Sequence, residues 1–140
     1  MKYSTRLADA IHILVYIGVF PEQPITSSDI ANSIQTNPAY VRTIMASLKS
    51  AKLIDGTQGK ACPTLSKAPN EISLLDVYKA IEGDKPLLHL DTHVNPECTV
   101  GIYVQEAISD CYEEVQAAAE SRMQQISLQD IIEQFEKKRQ

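Results

Sequence analysis

The sequence predicts a mainly α-helical fold with one small β-hairpin: a helical head over residues 1–83, then a linker, one long helix and a short last helix over 84–140. Three observations predict it. Residues 26–53 read as two short helices joined by a tight turn. Residues 53–65 hold two brief strand-like runs around Gln58-Gly59-Lys60. Residues 95–125 keep a single apolar stripe at helical spacing. At 140 residues the chain can bury one core and carry an appendage.

Ser4 is placed to cap a first helix that runs to about Phe20, with Leu7, Ala10, Ile11, Leu14, Val15 and Val19 as its apolar face. Pro21 and Pro24 end it. Thr26 and Asp29 form a capping box for a second helix, whose buried side is Ile30, Ala31 and Ile34. Gln35, Thr36 and Asn37 make the turn. Pro38 suits the first position of a third helix, where its missing N–H costs nothing, and Val41, Ile44, Met45 and Leu48 follow at helical spacing. Strand runs Leu53–Thr57 and Cys62–Leu65 flank a hairpin with Lys60 at its tip. Three helices closed by a hairpin are the plan of a winged helix-turn-helix.

Ala68-Pro69-Asn70 turns the chain into a fourth helix, opened by a second box of Ser73 with Asp76 and ended near Gly83. After a loop, Asn95 as cap and Pro96 as first helical residue open the long helix, which reaches about Gln125. Its stripe is Val100, Val104, Ala107, Ile108, Cys111, Val115 and Ala118, with Glu106, Asp110, Glu113, Glu114 and Glu120 largely outside it. At ~1.5 Å per residue this helix is about 40 Å long, more than the head can cover. The stripe is therefore expected to pack on a second copy, placing Val100, Val104, Ala107, Ile108, Cys111 and Val115 in a homodimer interface. Ser127 with Asp130 repeats the Ile-Ser-Leu-x-Asp pattern of residues 72–76, which reads as shared capping chemistry and not as a repeat architecture.

The formal net charge of −5 hides an asymmetry: residues 1–70 hold 7 Lys and Arg against 4 Asp and Glu, and residues 71–140 hold 6 against 14. A head of net +3 beside a tail of net −8 suits a polyanion partner at one end. The longest hydrophobic run, Ile11–Phe20, is about half the ~20 residues of a membrane span, and no leader is visible, so a cytoplasmic protein with no membrane partner is expected. Three scattered cysteines, Cys62, Cys98 and Cys111, fit no disulfide framework and read as free thiols. Without a Gly-rich phosphate loop, a metal-spaced His and Asp set or a serine elbow, no enzyme is expected.

The face of the third helix away from its stripe offers short, polar or cationic side chains of the kind that read base edges. Thr36, Asn37, Ala39, Tyr40, Arg42 and Thr43 are the candidate DNA-binding residues there, with Arg42 first for a base contact. Its plain alternative is a solvated arginine on a helical hairpin. Ser4, Thr5 and Arg6 at the first helix N-terminus, and Lys60 on the wing, are phosphate candidates. In a dimer these groups would address two half-sites about one helical turn apart, ~34 Å, in a palindromic double-stranded operator.

Cys98 falls in the first turn of the long helix on this reading, where free N–H groups and the helix dipole would favour the thiolate, with Glu97 opposing. It is the candidate redox sensor; the alternative is a small buried hydrophobe. Cys111 reads as core on the stripe and Cys62 as a strand residue. His89 and His93 near Cys98 read as solvated rather than as metal ligands, although their loop, residues 87–94, could border a small-ligand pocket.

Taken in order, these pieces resemble the Rrf family of bacterial winged-helix transcriptional regulators, the family of IscR, NsrR and CymR, and within it the YwnA-like branch. The resemblance rests on Tyr3-Ser4-Thr5-Arg6-Leu7-Ala8, on the helix-turn-helix, on Lys67-Ala68-Pro69-Asn70-Glu71-Ile72-Ser73-Leu74-Leu75-Asp76-Val77, and on Asn95-Pro96-Glu97-Cys98-Thr99-Val100-Gly101. It implies a homodimeric DNA-binding transcriptional regulator, a repressor as many members are. Two departures count. Many members have a glycine-rich wing followed by an aromatic, whereas here it is Gly59-Lys60-Ala61-Cys62-Pro63, which favours the competing reading of a winged-helix protein-interaction module. Iron-sulfur members carry three close cysteines where Gly83–Val100 has only Cys98, so no cofactor is expected.

Overall fold

The computed structural model describes residues 4–21, 23–56 and 63–140. Helix α1 spans Arg6–Val19, α2 Ser27–Ile34 and α3 Pro38–Ser50. Strands β1, Ile54–Asp55, and β2, Thr64–Leu65, follow, then a 3-10 turn at Pro69–Glu71, α4 at Leu74–Glu82, α5 at Thr99–Gln125 and α6 at Leu128–Arg139. The mainly helical winged helix-turn-helix with a long C-terminal helix is borne out. The tip of the hairpin, with Lys60 and Cys62, lies outside the described residues.

The starts of α2, α3, α4 and α6 each rest on a short polar side chain. Thr26 accepts from the Asp29 N–H at 3.1 Å while Asp29 accepts from the Thr26 N–H at 2.9 Å, and that reciprocal pair holds the Asp29 carboxyl below its ordinary pKa. Ser73 with Asp76 and Ser127 with Asp130 make the same box. At α1 the cap sits one residue later than expected. Thr5 is the N-cap, in a conformation (φ −106°, ψ 9°) from which its hydroxyl makes no capping bond, and Ser4 instead accepts from the Arg6 N–H at 3.3 Å. At α5 the shift is larger. Asn95 and Pro96 form a turn outside the helix, in which Asn95 Oδ1 accepts from Glu97 N–H at 3.0 Å and Asn95 O from Cys98 N–H at 3.1 Å. Cys98 is therefore the N-cap and not a residue of the first turn.

The core joins Ala10, Ile13, Leu14 and Ile17 of α1, Ile30 of α2, and Val41, Ile44 and Leu48 of α3 to Val77 and Ile81 of α4, all buried. The hairpin pairs antiparallel, Ile54 with Leu65 and Asp55 with Thr64. The two Ile-Ser-Leu copies pair with each other: Leu74 N–H donates to Ile126 O at 2.7 Å and Leu128 N–H to Ile72 O at 2.8 Å, around a bridge between Ser73 and Ser127. That clasp buries Ile72 and Leu128 and returns α6 to the head, where Ile132 packs against the core beside Gly18 of α1. In space α6 therefore packs with the head, against α1 and the 3-10 turn. Helix α5 meets the head along α4 and has no fully buried residue in its 27.

Candidate nucleic-acid interface

Two separated stretches of sequence meet at the start of α3. Gln35 takes the left-handed conformation (φ 65°) that ends α2, Thr36 N–H donates to Ala31 O at 2.9 Å, and Asn37 Oδ1 then caps α3 by accepting from Tyr40 N–H at 2.8 Å. Tyr40 lies half-buried against the core and its hydroxyl donates to Asp9 Oδ2 of α1 at 2.7 Å. Thr5 Oγ1 donates to the same carboxylate oxygen at 3.3 Å. Burial first, and then the Asp9 carboxylate, push the Tyr40 hydroxyl above its ordinary pKa, against a smaller opposing pull from Thr5 and Arg6. The interactions that surround this hydroxyl put the N-terminus of α1 beside the first turn of α3. The phosphate candidates Ser4, Thr5 and Arg6 and the base-reading candidates of α3 therefore share one edge of the head.

Within that edge the side chains differ in what they have left to offer. Asn37 is committed to the cap and the Tyr40 hydroxyl to Asp9. Thr43 Oγ1 donates to Ala39 O at 3.0 Å, which leaves it a methyl group and acceptor lone pairs. Thr36 is half-buried and Ala39 exposed. Arg42 is exposed and makes no hydrogen bond or ion pair with the described residues, so all five of its N–H donors are unused by them. Arg6, half-buried, is the other guanidinium on the edge.

The expected dimer face is equally distinct. Val100 is 70% exposed, Val104 45% and Val115 50%, with Ala107 and Cys111 also exposed and Ile108 half-buried. Cys111 is thus not packed inside the single chain. Cys98 is exposed, with its Sγ accepting from Gly101 N–H at 3.4 Å. In the loop, His93 Nδ1 lies 3.6 Å from Asp91 Oδ1, and among the described residues no three His, Cys, Asp or Glu side chains converge on a point.

Sequence reasoning missed the residue that ties the head to α5. Gln116 Oε1 accepts from Leu87 N–H at 2.9 Å; its Nε2 donates to the Tyr78 hydroxyl at 3.1 Å and to Glu120 Oε2 at 2.8 Å. Lys79 of α4 pairs with Glu120 Oε1 at 3.1 Å beside it. A lone glutamine in a charged helix leaves no periodic signal to find.

The family model for Rrf2, described as an iron-dependent transcriptional regulator, matches residues 3–134. A Bacillus subtilis (strain 168) protein with the provisional name HTH-type transcriptional regulator YwnA is 37% identical over 129 residues, covering 92% of this chain and 96% of that one. A crystal structure of a provisionally assigned DNA-binding protein superposes with a TM-score of 0.74 at 37% identity, over 91% of this chain and 98% of that one. The global cysteine regulator CymR of B. subtilis superposes at 0.69 with 18% identity, over 95% and 97%, and shows the shared fold. None of the described helices is long and apolar enough to cross a membrane.

Proposed function

The chain belongs to the Rrf2 family of transcriptional regulators, and from that premise we propose that it acts in the cytoplasm as a homodimeric repressor reading a palindromic operator. The observation that carries this is the shared edge of α1 and α3, where the Tyr40–Asp9 bond holds the N-terminal phosphate candidates beside Arg42. Two copies joined along the exposed stripe of α5 present two such edges to half-sites ~34 Å apart. A dimer held on a site that overlaps a promoter represses by occupancy alone. Specific binding to the DNA upstream of its own gene should fall on the order of 10³-fold between about 50 and about 200 mM salt, as six or more phosphate contacts require. A gel-shift titration measures it, and the absence of any specific shift at low salt sinks the proposal.

The iron in the family description does not fit this donor set. A cluster needs about three thiolates. The loop supplies Cys98 alone, and Cys111 lies 13 residues further along α5, ~20 Å away at the helical rise. Regulation without an iron-sulfur cluster is the reading we adopt. Cys98 remains the candidate sensor, because it is exposed and its sulfur caps the helix on which the dimer is built. Hydrogen peroxide would convert the thiol to a sulfenic acid with release of water, altering the cap and with it the set of α5. Operator binding should then weaken on peroxide treatment in the parent protein and not in Cys98→Ser. An equal response in both removes Cys98 from the role.

A further inference from the structure

Between the loop and α5 lies a groove of about 860 Å³ that the DNA-binding edge does not use. Leu88 and Leu90 from the loop, Leu75 from α4, and Tyr112 and Ala117 from α5 give it an apolar wall, and Ser109, Gln116, Ser121 and Gln124 of α5 a polar one. Its ionisable lining is Glu113, Glu120 and His89, with no lysine or arginine. Glu120 is satisfied, since Gln116, and then Lys79, bind its carboxylate and hold its pKa below the ordinary range. Glu113 has no partner among the described residues. An unpaired carboxylate in a leucine- and tyrosine-lined groove is complementary to a cation with an apolar body.

The groove is compatible with the dimer. At about 100° per residue, Ser109, Gln116 and Glu120 point to the side of α5 opposite Val100, Val104, Cys111 and Val115, with Ile108 and Tyr112 between the two faces. The stripe can pair with a second copy while the groove stays open. Its walls belong to the two parts of the molecule that regulation must connect, the head through Leu75 and the dimer helix through Tyr112.

We propose that this groove is an effector site for a lipophilic organic cation, such as a quaternary ammonium or phosphonium, held by Glu113 with its apolar body against Leu88, Leu90 and Tyr112. A bound cation wedges between α4 and α5 and resets the spacing of the two heads, a consequence that rests on the DNA-binding reading whereas the binding itself does not. Calorimetric titration of the full chain with tetraphenylphosphonium tests the site, with tetraphenylborate as the near-isosteric anion. One phosphonium should bind per chain and the borate should not. Glu113 is exposed at the rim of the groove, so Glu113→Gln should weaken the phosphonium about two- to fivefold, the worth of a solvent-screened charge pair, while Glu114→Gln, on the far side of α5, leaves it unchanged. Equal binding of the two ions, equal loss in both variants, or release of monomer as the phosphonium binds would overturn the site. Operator affinity unaltered by saturating phosphonium would leave a binding site and overturn its role as an effector. Failure of the protein to bind any operator counts against the regulator reading only, because the calorimetry does not involve DNA.

Discussion

Arg42→Ala should lower affinity for the operator by about 10²- to 10⁴-fold while leaving the fold intact. The magnitude follows from one bidentate arginine contact per half-site, about 1–3 kcal/mol each, doubled by the symmetry of the dimer. The fold is spared because Arg42 is exposed and bonds to nothing among the described residues, so truncation leaves no unsatisfied partner and no cavity. The same substitution should reduce binding to unrelated DNA only slightly, since one positive charge among several contributes little to the phosphate term. Gel shifts with operator and scrambled duplexes, beside a thermal melt, separate these effects. If operator and scrambled DNA lose affinity equally, Arg42 touches phosphate and the base readers must be sought at Ala39 and Thr43.

What the sequence revealed and what it hid divide along the range of the interactions. The three capping boxes and the Asn37-Pro38 start of α3 are legible because the residues concerned lie within three positions of one another. The end of α5 at Gln125 is legible for the same reason, since the next box follows at once. Its start is not, because Asn95-Pro96 can open either a helix or a turn, and the Asn95 side chain settled it by accepting from Glu97 N–H. The Tyr40–Asp9 bond spans 31 residues of sequence and the Tyr78–Gln116 bond 38, so neither could be read from spacing. The repeated Ile-Ser-Leu-x-Asp was visible, but that its two copies pair with each other follows only once the chain is folded. That pairing brings α6 back onto α1.

Val104→Asp should split the dimer and reduce operator affinity at least 10²-fold without unfolding the head. Val104 is 45% exposed in the single chain and touches none of the head core, so aspartate there is tolerated by the monomer. In the paired state the same position faces a second copy, and two-fold symmetry brings two carboxylates into an apolar stretch of the stripe, whose one cation, Arg122, stands five turns further along the helix. That cost, several kcal/mol, is set against an interface whose apolar contribution comes from a few valines, one isoleucine and small residues. A monomer still carries the edge formed by Tyr40, Asp9 and Arg42, but it engages one half-site without the raised effective concentration that the second head experiences once the first is bound. Half-site affinity should therefore survive while full-operator affinity collapses toward it. Light scattering reports the monomer, and gel shifts on half and full operators report the coupling. A Val104→Asp protein that stays dimeric, or a monomer that binds the full operator as tightly as the parent, would show that α5 does not join the two reading heads.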